Sequence, residues 1–266
     1  DSVSWNVLLS VYNLHGRTTQ LVNKMLSRGC MPDIITWTSW LTSCAEESDL
    51  IEGKKVHTSV INSGHTIDTV VTIALISLYG RCGDLETARK MFHSLETRTP
   101  VSWNAMIAVY AQHGLGQEAL NAFKQMLIEN VKPDEITFTS VLAACSHDGL
   151  LLEGCLIFSL IIGNNATSPS ADHFSCIIDL LGRIGRLDEA ENLINALPIE
   201  DVTPLYFLAL LGSCRYQSDV ERGERAAQQA FELDSEIPAS YVLLSNLYVH
   251  ANYDTTIPNI GIECTH

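Results

Sequence analysis

The chain has 266 residues, 46% of them hydrophobic, and a formal net charge of −15. This apolar content suffices for a sizeable core and excludes a chain that is disordered throughout. The acidic balance argues against indiscriminate binding of polyanions, which needs a basic surface. No apolar run reaches the roughly 18 residues of a membrane-spanning helix, so we expect no membrane partner.

From the N-terminus, helical patterns alternate with short breaks that contain glycine or polar residues. They divide into six predicted hairpins, at 2–33, 34–68, 69–99, 100–134, 135–170 and 171–202. The first has a short second helix, at 18–25. The clearest is 100–134, where helices at 101–112 and 117–129 are separated by a break at Gly114 and Gly116. Because Asp1 opens inside a hairpin, we interpret the chain as a fragment or processed form without its targeting segment.

Three sequence signatures recur in the same order along the chain. SVSWN (2–6) returns as PVSWN (100–104), ITWTS (35–39) as ITFTS (136–140), and GRCGDLETARKMF (80–92) as GRIGRLDEAENLI (182–194). Three unlike hairpins therefore alternate, and the set is used twice. One hairpin cannot bury its apolar face alone, so the repetition predicts an all-α fold, a right-handed superhelical α-solenoid of helix-turn-helix repeats.

Motifs for catalysis are missing from the sequence. A zinc deaminase needs H-x-E and P-C-x-x-C, and neither is present. Phosphate-binding G-x-x-x-x-G-K, the G-x-S-x-G elbow and H-E-x-x-H are also missing. We therefore expect no enzyme activity, no metal site and no cofactor. Cys44, Cys82, Cys145 and Cys176 fall within apolar helical patterns, which indicates buried free thiols in a reducing compartment.

The fifth and ninth residues of each hairpin lie one turn apart on the same face of its first helix. They are Asn6 and Ser10, Thr38 and Thr42, Ile73 and Ser77, Asn104 and Ala108, Thr139 and Ala143, and Ser175 and Asp179. This small and largely polar stripe suits recognition of a ligand, and the alternative is a solvated helix face. The aromatic residues at the fourth position, Trp5, Trp37, Trp103 and Phe138, are interpreted as core anchors rather than base-stacking groups.

Two further positions accompany the stripe. The second residues are aliphatic in five hairpins, and these are Val3, Ile35, Val70, Val101 and Ile136. Such side chains suit a flat base held between them, and the alternative is that they staple the start of the helix. The last residues are Asp33, Asp68, Thr99, Asp134, Ser170 and Val202, for which helix N-capping is the alternative role.

These motifs resemble the pentatricopeptide repeat (PPR) family of plant organelles, in the PLS subclass that alternates standard, long and short motifs. VSWNAMIAVYAQHG with EALNAFKQM and VKPD (101–134) resembles the standard motif, ITFTSVLAACSHDGLLLEG (136–154) the long one and ALISLYGRCGDLETARKMF (74–92) the short one. Residues 203–253 resemble a truncated C-terminal E-type extension, and 254–266 match no motif. The family's deaminase-like domain is absent from this sequence.

The resemblance implies sequence-specific binding of single-stranded RNA, with one base read per repeat by its fifth and last residues. The base-reading residues would be Asn6, Asp33, Thr38, Asp68, Asn104, Asp134, Thr139, Ser170 and Ser175. Asn6 with Asp33 and Asn104 with Asp134 would favour pyrimidines, uracil first. Thr38 with Asp68 resembles a guanine reader. Ile73 with Thr99, Thr139 with Ser170 and Ser175 with Val202 match no clear code.

Phosphate contacts are expected from Arg81 and Arg183 only, which predicts a salt slope of about −1.4 for a single strand. The resemblance further implies a monomer in a mitochondrion or chloroplast that guides C-to-U RNA editing by a deaminase supplied in trans, with editing partners docked on 203–251. The alternatives are a protein-binding scaffold of tetratricopeptide type, which the acidity favours, and an RNA stability or splicing factor.

Overall fold

The computed structural model describes residues 2–13, 18–63, 68–163 and 169–251, and the regular elements in these ranges are all helical. They are α1 (Ser2–Asn13), α2 (Thr18–Ser27), α3 (Ile34–Glu46), α4 (Leu50–Asn62), α5 (Thr69–Arg81), α6 (Leu85–His93), α7 (Pro100–Gln112), α8 (Gly116–Ile128), α9 (Glu135–Asp148), α10 (Leu151–Gly163), α11 (Ala171–Arg183), α12 (Leu187–Asn195), a 3₁₀ turn (Ile199–Asp201), α13 (Pro204–Gln217), α14 (Val220–Leu233) and α15 (Pro238–His250). None of these helices has both the length and the apolar content needed to cross a membrane.

The chain forms two compact units, Asp1–Ala144 and Cys145–His266. In the first unit, α1 packs against α3, α3 against α5 and α5 against α7. Each of these helices also packs against the helix that follows it, from α2 to α8. First helices therefore form one layer and second helices another. This arrangement confirms the prediction of an all-α solenoid built from helix-turn-helix repeats.

The second unit repeats this arrangement. Helix α11 packs against α12 and α13, and α13 packs against α14 and α15. The segment predicted as a C-terminal extension therefore continues the stack of hairpins instead of forming a separate fold. Residues 252–266, which include the predicted tail, lie outside the described residues.

The cores are built from aromatic and aliphatic side chains at helical spacing. Trp5, Trp37, Trp103 and Phe138 are all buried, as expected for core anchors. The Trp103 ring meets Phe92 edge-on, with 4.7 Å between ring centroids. Cys44, Cys145 and Cys214 are buried free thiols, and Cys82 and Cys176 are partly buried.

Glycine has two distinct uses in the first unit. Gly114, in the turn between α7 and α8, has a φ of +64°, a conformation that side chains rarely adopt. Gly80 instead lets α5 approach α7, because a Cβ atom there would lie 2.1 Å from Cγ2 of the buried Val109. The His113 ring spans the same two helices, with its Nε2 atom 2.7 Å from the Gly80 carbonyl oxygen.

Candidate nucleic-acid interface

One predicted reading pair joins α7 to the start of α9. The Asn104 amide nitrogen donates to both carboxylate oxygens of Asp134, at 2.9 and 3.2 Å. The Asn104 amide oxygen accepts a hydrogen bond of 2.6 Å from the Thr137 hydroxyl. Asp134 also accepts a bond of 2.9 Å from the Thr137 backbone N–H, so it caps α9 as well as holding Asn104. The two roles considered for this aspartate therefore coexist.

The same arrangement joins α1 to the start of α3. The Asn6 amide nitrogen lies 3.0 and 2.9 Å from the two carboxylate oxygens of Asp33. The Thr36 hydroxyl donates to the Asn6 amide oxygen at 2.8 Å and the Thr36 backbone N–H donates to Asp33 at 2.9 Å. The structure thus brings together both asparagine–aspartate pairs that the repeat positions select.

Both aspartates are ionised at neutral pH. Partial burial by itself raises the pKa of Asp134, but hydrogen bonds from the Thr137 backbone and the Asn104 amide outweigh it, so the pKa lies below its usual value of 3.8. The pKa of Asp33 is lowered in the same way, burial being outweighed by bonds from Thr36 and Asn6. An ionised carboxylate only accepts hydrogen bonds, so each asparagine must turn its NH₂ group towards the aspartate.

Thr38 and Asp68, the predicted guanine reader, are not joined in this way. The Thr38 hydroxyl donates to the backbone oxygens of Ile34 and Ile35 in its own helix, at 2.9 and 3.0 Å. Asp68 caps α5 by accepting from the Val70 N–H at 2.8 Å. Thr38 and Asp68 each form hydrogen bonds within their own helix. A ligand would therefore have to contact the two side chains separately.

A groove between α3 and α5 nevertheless gathers three kinds of predicted site residue. Its volume is about 360 Å³, and its walls include Thr38, Val70, Ile73 and Arg81. Thr38 is a predicted reader, Val70 a predicted base-flanking residue and Arg81 a predicted phosphate contact. The Arg81 side chain is exposed and makes no ion pair or hydrogen bond with another described residue. This groove therefore combines polar, aliphatic and cationic surface.

The predicted base-flanking side chains point into solvent. They are Ile35 (59% exposed), Val70 (56%), Val101 (60%) and Ile136 (64%). A side chain that stapled the start of a helix would be covered by the residue it packs on, so this exposure favours the base-flanking interpretation. The side chain of Val3 lies outside the described residues.

The remaining predicted readers make contacts within their own helix ends. The Thr139 hydroxyl donates to the Glu135 carbonyl oxygen at 3.0 Å. The Ser175 hydroxyl donates to the Ala171 carbonyl oxygen at 2.8 Å. Ser170 forms a capping box with His173 at the start of α11. None of these contacts links a fifth residue to a last residue.

Arg183, the second predicted phosphate contact, is held by a carboxylate. Its Nε atom lies 2.7 Å from Asp179 Oδ2, and its guanidinium carbon lies 5.2 Å from the centre of the Tyr216 ring. The signal for the ion pair is present in the sequence, since Asp179 and Arg183 are four residues apart on one helix. The signal for Thr36 and Thr137 is weaker, because a polar residue three positions after a capping aspartate also fits an ordinary capping box.

In the described ranges, no cluster of three or more histidine, cysteine or carboxylate side chains has the arrangement of a metal site. The site is therefore built from amide, hydroxyl, carboxylate and aliphatic groups, with arginine at its edge. Such groups make hydrogen bonds and apolar contacts to a planar polar ligand.

Comparison with known proteins gives matches over most of the chain. The family model described as PPR repeat matches residues 71–98, 136–165 and 172–198, and that described as PPR repeat family matches 98–147. The E motif model matches 217–262, which includes part of the segment left unassigned from sequence.

Similar proteins are found in Arabidopsis thaliana. A chloroplastic pentatricopeptide repeat-containing protein is 37% identical over 94% of this chain and 30% of its own length. A mitochondrial one is 38% identical over 97% of this chain and 38% of its own length. The chain thus spans about a third of the length of the curated relatives it matches. Among solved structures, the pentatricopeptide repeat protein PPR10 in complex with an 18-nt psaJ RNA element has a TM-score of 0.74 at 18% identity, covering 94% of this chain and 38% of that one.

Proposed function

This chain belongs to the pentatricopeptide repeat family, with PPR repeats followed by an E motif, and we propose that it binds single-stranded RNA by reading one base per repeat. The observation that carries the proposal is an asparagine–aspartate pair that occurs twice, at Asn6 with Asp33 and at Asn104 with Asp134. In each case it joins the first helix of a hairpin to the residue that caps the first helix of the next. A structurally similar protein, PPR10, was solved with an RNA element bound, which supports the same ligand class here.

Base reading would use the hydrogen-bonding groups of the Asn104 amide that Asp134 and Thr137 leave unoccupied. Asn104 is only 7% exposed, and it uses one amide hydrogen on Asp134 and one lone pair of its oxygen on Thr137. One donor and one acceptor remain for a base edge. The exposed Val101 and Ile136 belong to consecutive hairpins and supply apolar surface for the faces of the base. Pairs of this type favour pyrimidines, uracil first, as the family resemblance implies.

We expect few contacts between this chain and the phosphates of the RNA backbone. Of the two predicted phosphate contacts, Arg183 is paired with Asp179, which leaves Arg81 as the unpaired one. One phosphate contact contributes about −0.7 to the salt slope for a single strand, half of the value expected from sequence. Base-edge and apolar contacts must therefore supply a larger share of the affinity.

We further propose that the chain acts in a plant organelle, where it positions a cytidine for C-to-U editing by a deaminase supplied in trans. Chloroplastic and mitochondrial relatives support the compartment, and the E motif supports a docking role for 203–251. Transcripts crosslinked to the protein in organelles should then contain an edited cytidine beside the bound segment. Crosslinks confined to unedited transcript ends or introns would favour the stability or splicing role.

A selection from a pool of randomised single-stranded RNA tests base reading directly. We expect enrichment of defined bases by the wild-type chain, and a changed base at one position for Asn104→Ser. Enrichment no higher than background would contradict base reading and favour the protein-binding scaffold, with which the net charge of −15 is compatible. Enrichment that Asn104→Ser leaves unchanged at every position would reject Asn104 as a reader.

A further inference from the structure

We infer that Thr36 and Thr137 are positioning residues that orient the reading asparagines, so that each reader is a triad of asparagine, aspartate and threonine. This inference rests on the proposed reading function and adds a residue that the repeat positions do not select. Each threonine belongs to the hairpin that follows its asparagine, and it lies in the first turn of that hairpin's first helix. The reader of one repeat is therefore completed by a side chain of the next.

The hydroxyl of Thr137 is placed to bond the asparagine oxygen. It lies 2.6 Å from Asn104 Oδ1 and 2.9 Å from Asp134 Oδ1, and it accepts the Asp134 backbone N–H at 3.1 Å. A hydroxyl has a single proton, and here its shorter contact is with the asparagine. Asp134 Oδ1 already accepts from the Thr137 backbone and from Asn104. The Thr137 proton is therefore assigned to Asn104.

Together the two partners leave the amide a single orientation. A flipped Asn104 amide would turn its oxygen towards an ionised carboxylate that has no proton to give, and would lose the bond from the Thr137 hydroxyl. The bond from Thr137 thus fixes the direction of the free lone pair on the Asn104 amide oxygen. The bond to Asp134 fixes the direction of the free N–H of the same amide. A base edge presented to this fixed donor and acceptor is discriminated by their positions.

The distribution of threonine along the chain agrees with this role. At the third residue after a hairpin's last residue, threonine is present in both cases where the reader is asparagine. Where the reader is Thr38, Ile73 or Thr139, the same place holds Val71, Ser102 or His173. Helix capping alone does not require this choice, because Ser102 also completes a capping box, with Thr99.

Ser102 provides a matched control. Its hydroxyl accepts the Thr99 N–H at 3.0 Å and donates to the Thr99 carbonyl oxygen at 2.9 Å. Like Thr137 it is a buried residue in the first turn of a first helix, but the reader of the preceding hairpin is Ile73, which has no amide to orient. Ser102→Ala therefore removes a capping hydroxyl without touching a reader.

The experiment compares Thr137→Val, Thr137→Ser and Ser102→Ala in the whole chain. Binding is measured to RNAs that differ only at the base that Asn104→Ser alters, with urea unfolding of each variant alongside. We expect Thr137→Val to reduce base discrimination there by about five-fold, as the loss of one neutral hydrogen bond does. Thr137→Ser should retain it, and Ser102→Ala should leave it unchanged. Thr36→Val should act likewise at the base governed by Asn6.

The inference is overturned if Thr137→Val keeps full discrimination while Asn104→Ser loses it. It is also overturned if Thr137→Val weakens binding of all bases equally, as a mere loss of helix capping would. If the proposed base reading itself is wrong, the result is different, because the wild-type chain then shows no base preference at any position. That result would also overturn the inference about Thr36 and Thr137.

Discussion

Arg81 and Arg183 occupy equivalent places in two hairpins but differ in their surroundings, which makes a sharp prediction about RNA binding. Arg81 is exposed on the groove between α3 and α5 and has no ion-pair partner among the described residues. Arg183 is bonded to Asp179 at 2.7 Å and rests against Tyr216. A phosphate that bound Arg183 would have to replace an existing carboxylate, whereas Arg81 is free to bind at once.

The magnitude follows from counterion release, since each phosphate contact to a single strand contributes about −0.7 to the slope of log affinity against log salt concentration. Arg81→Gln should therefore make the slope shallower by about 0.7, whereas Arg183→Gln should leave it unchanged. Asp179→Asn should make it steeper by about 0.7, because it releases Arg183. The three substitutions thus predict three distinct slopes relative to the wild type.

The assay is fluorescence anisotropy of a labelled single-stranded RNA, titrated at several potassium chloride concentrations. Circular dichroism of each variant shows that the helices are retained, which matters for Asp179 because it also accepts a bond from Ser146 at 2.5 Å. Equal changes of slope for Arg81→Gln and Arg183→Gln would refute the reasoning. That result would mean that Arg183 leaves Asp179 when RNA binds.

Three further outcomes concern stability and chemistry. Gly80→Ala should lower the free energy of unfolding by about 1–3 kcal/mol, because the added methyl group overlaps α7. Gly212→Ala should raise it by about 0.5–1 kcal/mol, because the nearest atom to the added methyl group is 4.0 Å away. Urea titrations in which both variants changed the free energy of unfolding in the same direction would contradict this prediction. The stability contributed by Asp134 should be complete above about pH 5, and it should be lost as the pH falls through the lowered pKa of Asp134. If the acid unfolding curve of the wild type matched that of Asp134→Asn, the result would argue against it. Iodoacetamide at pH 8 should label the exposed Cys155 and spare Cys145, because burial raises the pKa of the Cys145 thiol to about 12. Equal labelling of the two cysteines, measured by mass spectrometry, would contradict the burial of Cys145.

Local signals were enough to predict the two helices of the clearest hairpin. The helix expected at 101–112 is α7 (Pro100–Gln112), and the one expected at 117–129 is α8 (Gly116–Ile128). Both are set by apolar spacing and by a glycine break, which act within a few residues. The repetition of signatures then predicted the stacking, because a hairpin with one apolar face must be covered by its neighbours.

The site was predictable only in part. The pairing of Asn104 with Asp134 joins residues 30 apart, and spacing alone does not reveal it without the family resemblance. The contact of Thr137 with Asn104 joins residues that are 33 positions apart. It could not be predicted, because the sequence around Thr137 also fits an ordinary helix-capping pattern. The pairing of Arg183 with Asp179 is local, but the equivalence of Arg183 to Arg81 in the sequence predicts a phosphate contact instead. Long-range contacts depend on how hairpins stack, and a linear pattern does not specify that.

The most direct test of base reading by Asn104 and Asp134 is to exchange the reader and measure which base is preferred. Asn104→Thr would recreate the combination of Thr38 with Asp68, which resembles a guanine reader. Binding is measured to four RNAs that differ only at the base read by this repeat. We predict that the preferred base changes from uracil to guanine at that position and at no other. An unchanged preference for uracil, or an equal loss of affinity for all four RNAs, would contradict the account.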